Sequence, residues 1–133
     1  MEDTAGTAAA LRVLVVDDQK VVANVYSGIF KALGVGEVDI AGSGEEAVSL
    51  VRQKAYDLVL SDVQMPGMGG IGFVKYVRET LGNRELPIYA VTSDTASIDS
   101  FREQGFNAVL MKPFTRANVV ALLRRVKPRP PQA

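Results

Sequence analysis

The sequence predicts an α/β fold, a doubly wound parallel sheet of five strands with helices on both faces. One observation is that short apolar runs rich in β-branched residues recur five times, as expected for buried parallel strands. The second is that segments with apolar residues at helical spacing separate these runs. Parallel strands need such crossovers, so the alternation indicates a single (βα)5 domain.

The predicted strands are bounded by turn residues or by charged residues. The first strand is nearly all apolar, and Pro87 introduces the fourth. Their predicted ranges are residues 11–16, 37–41, 57–62, 88–92 and 106–111.

The predicted helices carry recognisable starts and stops. Ser43 and Thr115 are expected N-caps, and Gly34 and Gly105 are expected to end the first and fourth helices. The third helix lacks an N-cap residue, so we expect it to be mobile or to begin late, near Ile71. The first helix is expected to bury an apolar stripe at Val21, Val22, Val25, Ile29, Phe30 and Leu33. The predicted helical ranges are about residues 20–33, 43–51, 71–81, 96–104 and 115–126.

The ends of the chain are expected to lie outside this domain. Residues 1–10 are small and polar and are expected to be disordered. Residues 127–133 contain three of the chain's prolines and cannot continue the last helix, so we expect a tail. The domain itself is therefore predicted to span residues 11–126.

Composition excludes several classes of function. Lysine plus arginine and aspartate plus glutamate each total 15, so no net charge favours nucleic acid or a membrane surface as a partner. The absence of cysteine and histidine excludes thiolate metal sites, cysteine nucleophiles and a histidine base. No apolar run is long enough to span a bilayer and no secretory signal is present. A cytoplasmic protein is the expectation.

Charged residues follow three of the predicted strands directly. Asp17 and Asp18 follow the first strand, Asp62 ends the third, and Lys112 follows the fifth. In the flavodoxin-like strand order 2-1-3-4-5, the first and third strands are neighbours at the point where ligands bind. The order therefore predicts that the three carboxylates meet at one edge of the sheet, with the lysine nearby.

Clustered carboxylates repel one another unless a cation lies among them. Oxygen ligands on loops that admit water suit Mg²⁺. An aspartate bound to such an ion can act as a nucleophile toward phosphorus. Lys112 could then pair with the added charge, and the Thr92 hydroxyl could hydrogen-bond a phosphoryl oxygen. The set predicts phosphoryl chemistry at an aspartate.

The chain resembles the receiver domain of two-component response regulators over residues 11–126. Each motif is weak alone, but together they fall in order at successive strand ends. They are Asp17-Asp18, Asp62 before Met65-Pro66-Gly67, Thr92-Ser93, and Lys112-Pro113.

The resemblance implies that Asp62 is a phosphoacceptor, loaded from a phosphohistidine on a histidine kinase or a histidine-containing phosphotransfer protein. It implies Mg²⁺, or Mn²⁺, bound by Asp18, Asp62 and the backbone carbonyl of Gln64, with Asp17 acting mostly through water. Thr92 would move toward the phosphoryl group and Lys112 would pair with it. Such a chain would load and lose its own phosphoryl group rather than act as a turnover enzyme.

Other positions are expected to tune or transmit the response. In the family, the positions of Gln64 and Asp94 influence acyl phosphate hydrolysis, and Ser93 is small enough to keep Asp62 accessible. Val109 stands where receivers usually carry an aromatic residue, so we do not expect the usual aromatic relay. Val109 and Pro113 form the expected switch region, and the bond before Pro113 is expected to be cis.

Two alternatives come from other functional classes. A magnesium-dependent phosphatase of the haloacid dehalogenase type also uses an aspartyl nucleophile. It would place a second acid two residues later, where this chain has Gln64, and its nucleophile would follow the first strand. A receiver-like scaffold that is never phosphorylated is the other.

In the favoured interpretation output passes to an unknown downstream protein, with docking expected near the first helix or on the face of the fourth helix, fifth strand and fifth helix. The chain would be a single-domain regulator, a phosphorelay intermediate or an excised receiver of a hybrid kinase.

Overall fold

The structure, a computed structural model, describes residues 9–93, 98–112 and 115–126. The helix Gly69–Lys75 continues directly into a π-helical turn, Tyr76–Thr80. The strands are β1 Arg12–Val16, β2 Glu37–Ala41, β3 Leu58–Asp62, β4 Ile88–Thr92 and β5 Ala108–Met111. The helices are α1 Lys20–Ala32, α2 Gly44–Gln53, α3 Gly69–Lys75, α4 Ile98–Glu103 and α5 Arg116–Leu123.

The five strands form one parallel sheet in the order β2-β1-β3-β4-β5. The predicted fold class and strand order are therefore confirmed. In this register Val16 pairs with Ser61, and Asp62 pairs with Val91. The carboxyl ends of β1, β3 and β4 consequently lie side by side at one edge of the sheet.

Alternate residues of each strand feed two separate apolar layers. Val13 and Val15 of β1 join the layer that packs against α1 and α5. Leu14 and Val16 join the layer on the opposite face, which holds residues of α2, α3 and α4. All five residues of β3 are buried. Because β3 is covered on both faces, its carboxyl end is held rigidly.

Both predicted N-caps are present. The Ser43 hydroxyl accepts a hydrogen bond from the Glu46 backbone N–H at 3.0 Å. Thr115 accepts one from the Asn118 N–H at 3.3 Å, and the Asn118 side chain accepts from the Thr115 N–H in return. These reciprocal bonds satisfy backbone donors that the first helical turn leaves open.

The apolar stripe predicted for α1 is partly wrong. Phe30 is fully buried, whereas Val21 and Val25 are 77% and 54% exposed. The inner face of α1 is instead completed by Ala23 and Tyr26, which join the core. Val22, Ile29 and Leu33 pack against the same core as predicted, so only Val21 and Val25 lie off the buried face.

The late start predicted for the third helix is also wrong. The helix begins at Gly69, two residues before Ile71, and Gly69 and Gly70 are buried. A Cβ on Gly70 would collide with the backbone carbonyl oxygen of Asp62. Gly69 has a φ of +70°, a conformation that glycine adopts without strain. These glycines let the helix start directly against the end of β3.

The bounds of β2 and β4 match the prediction, whereas several other boundaries differ from it by one to three residues. β1, β3 and β5 begin after the predicted starts, and α5 ends at Leu123, although Val126 is buried. Residues 1–8, the start predicted for the fourth helix and the predicted tail from 127 onward lie outside the described residues. Among the described residues, no helix is both long and apolar enough to cross a membrane.

Candidate functional site: an acidic cleft at the carboxyl edge of the sheet

Three aspartates converge at the carboxyl ends of β1 and β3. Asp62 is the last residue of β3, while Asp17 and Asp18 follow β1 directly. One carboxylate oxygen from each residue lies within 4.8 Å of the others. Asp17 and Asp62 are 3% and 8% exposed, whereas Asp18 is exposed. Adjacent parallel strands thus bring together acids that are far apart in sequence.

Asp17 is held in place by the backbone on both sides. Its N–H donates to the carbonyl of Ala41 at 3.0 Å, and its Oδ1 accepts from the Gln19 N–H at 2.9 Å. Burial raises the pKa of Asp17, the Gln19 hydrogen bond opposes this rise, and the charges of Asp62 and Asp18 add to it. The site therefore carries an electrostatic cost that a cation would relieve.

Lys112 completes the charged set from the neighbouring side of the sheet. Its Nζ lies 3.4 Å from Oδ1 of Asp62, and the two side chains are 31% and 10% exposed. The Lys112 backbone N–H donates to the carbonyl of Thr92 at 2.9 Å, which extends the β4–β5 pairing by one step. Thr92 is 4% exposed at the end of β4. The predicted acid, hydroxyl and ammonium groups are therefore brought together.

These side chains line an open cleft of about 190 Å³. Ser93 and Gln64 are exposed in this cleft. The lining residues are Asp18, Gln19, Asp62, Gln64, Thr92, Ser93 and Lys112. The cleft is open to solvent, and its volume is sufficient for a small anion.

The predicted switch residues are only partly described. Val109 is half-buried and packs against the apolar layer that holds residues of α2, α3 and α4. Asp94 and Pro113, together with the cis bond expected before Pro113, lie outside the described residues. The expected role of Val109 stays a prediction.

Sequence reasoning missed two residues of this site. Gln19 lines the cleft and donates its N–H to Asp17, but a glutamine after two aspartates carries no distinctive pattern. Gly70 allows α3 to approach the Asp62 carbonyl, whereas the sequence suggested only a loosened helix. A close approach of backbone between distant segments has no signature in a single sequence.

The donor set fits a hard divalent cation. All three acidic groups offer oxygen, the exposed Asp18 admits water, and the cleft leaves room for further ligands. Mg²⁺ prefers such oxygen ligands and keeps several of its waters. The residues that could hold it are Asp17, Asp18 and Asp62.

Comparison with known proteins gives this geometry a family. The family model described as the response regulator receiver domain matches residues 13–124. The chain belongs to the response regulator receiver domains. Such domains act in general as signal transducers rather than as enzymes, and a phosphoacceptor signalling role fits this one.

Relatives of the receiver include short and long proteins. It is 33% identical to the probable chemotaxis protein CheY of Rhizobium etli over 121 residues, 90% of this chain and 94% of that protein. It is 39% identical over 118 residues to transcription factor SKN7 of Chaetomium thermophilum, covering 86% of this chain but 15% of that protein. The chain thus spans only a small part of some of its relatives.

Solved structures share the fold of the receiver. The receiver domain of the sensor histidine kinase PA1611 from Pseudomonas aeruginosa PAO1 matches with a TM-score of 0.78 and 29% identity, covering 86% of this chain and 95% of that one. That structure has a magnesium ion coordinated in its active-site cleft. Nothing in these matches favours the phosphatase alternative, and Asp62 follows β3 rather than β1.

Proposed function

We propose that Asp62 accepts a phosphoryl group from a phosphohistidine on a histidine kinase or a histidine-containing phosphotransfer protein. The observation that carries this proposal is the position of the Asp62 carboxylate. It lies in an open cleft between two other carboxylates and the Lys112 ammonium, which is 3.4 Å away. A structural ion pair alone would not need the two additional acids.

The transfer step follows from this arrangement. A carboxylate oxygen of Asp62 attacks the phosphorus, the P–N bond to the donor imidazole breaks, and its electron pair stays with the imidazole. The product is an acyl phosphate on Asp62. Lys112 then pairs with a phosphoryl oxygen, since its ammonium already lies beside the accepting carboxylate.

In this proposal Mg²⁺ is held by Asp18, Asp62 and the backbone carbonyl of Gln64, with Asp17 acting mostly through water. When bound, the ion would neutralise charge on the carboxylates and on the phosphoryl oxygens. The near-complete burial of Asp17 and the exposure of Asp18 support this division of roles. Mn²⁺, which also favours oxygen ligands, is a possible replacement.

Residues around Asp62 would set the lifetime of the acyl phosphate. Thr92 lies at the end of β4 and would move to hydrogen-bond the phosphoryl group. Ser93, Gln64 and Asp94 are the proposed rate-tuning positions, two of which line the cleft. Gln64 carries an amide that can orient a water molecule toward the phosphorus.

The proposed signalling route needs two protein contacts. The donor would dock over the first turns of α1, where Val21 and Val25 are exposed and the preceding residue Gln19 lines the cleft. Output would pass from Asp62 through Val109 and Pro113 to a downstream protein on the face of α4, β5 and α5. A cytoplasmic location without direct nucleic acid or membrane contact completes the proposal, and the balanced charge supports it.

Incubation with acetyl phosphate and Mg²⁺ tests the proposal. The intact mass should rise by one phosphoryl group in the natural chain but not in Asp62→Asn. Omission of Mg²⁺ should also prevent the rise. No mass change in the natural chain would favour a scaffold. Steady turnover of general phosphomonoesters that depends on Asp62 would favour the phosphatase.

A further inference from the structure

A buried arginine lies near the amino ends of β4 and β5, at the end of the sheet opposite the cleft. Arg78, in the π-helical turn after α3, is 7% exposed. None of the ion pairs among the described residues involves it. Burial, with a smaller contribution from the charge of Arg84, lowers the pKa of Arg78. Burying a charged group without an ion pair costs free energy unless hydrogen bonds compensate for it, so we expect Arg78 to have a specific set of hydrogen-bond partners.

The guanidinium instead binds three oxygen atoms from two loops. Its Nε donates to the carbonyl of Gly105 at 3.0 Å, and Nη1 donates to the carbonyl of Asn83 at 3.1 Å. Nη2 donates to the side-chain oxygen of Asn107 at 2.8 Å. The planar fork of arginine is suited to three acceptors held in fixed directions, which a lysine ammonium does not match. The loop before β4 and the loop before β5 are thereby tied to one side chain.

Asn107 carries this contact into the sheet. Its side-chain oxygen also accepts the N–H of Ile88, the first residue of β4, at 2.8 Å. Its own N–H donates to the carbonyl of Ile88, also at 2.8 Å. These two bonds come immediately before the first β4–β5 pair, Tyr89 with Ala108. The Arg78–Asn107 contact therefore sits where the pairing of β5 begins.

β5 is a short edge strand, and its residues Val109 and Leu110 pack against opposite apolar layers. It contains four residues, all half-buried, and it pairs with β4 alone at the edge of the sheet. A shift of one residue would turn every side chain of the strand to the other face. Lys112 follows β5 directly, so the register of this strand sets the distance from Nζ to Asp62.

We propose that Arg78 and Asn107 form a register lock on β5 that positions Lys112 for the phosphoryl group on Asp62. Arg78 is then a positioning residue that acts through Lys112 and never touches the reacting atoms. This inference rests on the proposed function, because it assigns Lys112 a task in phosphoryl binding.

Amide hydrogen exchange in the unphosphorylated chain tests the lock itself. Arg78→Gln should speed exchange of the Asn107 and Lys112 N–H groups, which close the two ends of the β4–β5 pairing. Tyr56→Phe is the control, because it loses one half-buried hydrogen bond, to Asp39 at 2.6 Å, on the β2 side of the sheet. Equal exchange at Lys112 in both variants would overturn the proposal, whether or not the chain accepts phosphate.

Beryllofluoride titration in the presence of Mg²⁺ tests the effect on Lys112. Arg78→Gln should weaken beryllofluoride binding by about threefold to tenfold, and Tyr56→Phe should leave it unchanged. In a Lys112→Ala background, Arg78→Gln should have no further effect. Arg78→Lys should keep the charge but not restore affinity, because one ammonium cannot reach all three acceptors.

The outcomes separate the two proposals. Failure of the natural chain to bind beryllofluoride would contradict the proposed function, while the exchange result still decides the lock. Normal binding in the natural chain with an unchanged affinity in Arg78→Gln would contradict the lock alone. If the two losses of beryllofluoride affinity multiply in the double variant, the two substitutions act independently. Arg78 would then act through general stability and not through Lys112.

Discussion

The two neighbouring aspartates after β1 differ in burial, and we propose that this difference gives them different roles in Mg²⁺ binding. Asp17 is 3% exposed and accepts a hydrogen bond from the Gln19 N–H, whereas Asp18 is exposed and lines the cleft. We expect Asp17→Asn to weaken Mg²⁺ binding about tenfold, as loss of an outer-sphere partner does, and Asp18→Asn to weaken it further. Calorimetric titration of the two variants measures this order. A larger loss in Asp17→Asn would mean that Asp17, not Asp18, is the direct ligand.

Tyr56 makes a pH-dependent contribution to the unfolding free energy through its hydrogen bond to Asp39, on the β2 side of the sheet. Burial alone would raise the pKa of Asp39, but hydrogen bonds from Tyr56 and Lys54 and the charge of Lys54 outweigh it and lower that pKa. Because the pKa is lower in the folded state, the stabilisation is present above the ordinary value of 3.8 and is lost as the pH falls through the folded-state pKa. Tyr56→Phe should therefore cost about 1 kcal/mol of unfolding free energy at neutral pH.

Denaturant unfolding at several pH values checks this contribution. The difference between the natural chain and Tyr56→Phe should shrink as the pH falls below 3.8. The same free-energy difference at neutral and strongly acidic pH would mean that Tyr56 acts through packing alone.

At the scale of elements, the start of α3 depends on glycine. A Cβ on Gly70 would collide with the Asp62 carbonyl, whereas a Cβ on Gly28, within α1, meets nothing within 4 Å. Gly70→Ala should lower the unfolding free energy by about 1–3 kcal/mol through overpacking. Gly28→Ala should raise it by about 0.5–1 kcal/mol, because alanine is the better helix former. Thermal and denaturant unfolding measure both changes, and a stable Gly70→Ala would show that α3 can retreat from β3.

The exposed valines of α1 give the element a proposed contact surface. Val21→Ser with Val25→Ser should slow transfer from a phosphohistidine donor by about fivefold to tenfold, as loss of apolar contacts at an interface does. Loading from acetyl phosphate should not change, since these side chains lie outside the cleft lining. Leu81→Ser, at another exposed apolar side chain, is the control. Equal slowing with both donors would place the effect in folding or at the cleft.

The sequence predicts strands and strand ends better than helix faces. β3 is a short apolar run ending in Asp62, and the alternation of strands and helices limits the possible sheet orders, so the acidic edge follows from the sequence. The face of α1 follows only in part, because Val21 and Val25 are apolar yet exposed, whereas Ala23 and Tyr26 join the core. The role of Arg78 also could not be predicted, since its acceptors lie in loops distant in sequence.

At the scale of the whole molecule, the carboxyl ends and the amino ends of the strands carry different groups of side chains. The carboxyl edge gathers Asp17, Asp18, Asp62 and Lys112 into a solvent-open cleft. At the opposite end of the sheet, hydrogen bonds of Arg78 and Asn107 connect the loops before β4 and β5. Between them runs β3, which is fully buried and ends in Asp62, whereas β5 is half-buried.

The proposed signalling role depends on formation of an acyl phosphate at Asp62, and chemical trapping tests this step directly. Borohydride reduces an aspartyl phosphate to homoserine, releasing the phosphate, so the modified position is recorded in the peptide chain. After loading with a phosphohistidine donor and Mg²⁺, peptide mass spectrometry should find homoserine at position 62 and nowhere else. Homoserine at another aspartate, or none in a chain that has demonstrably taken up phosphate, would contradict the account.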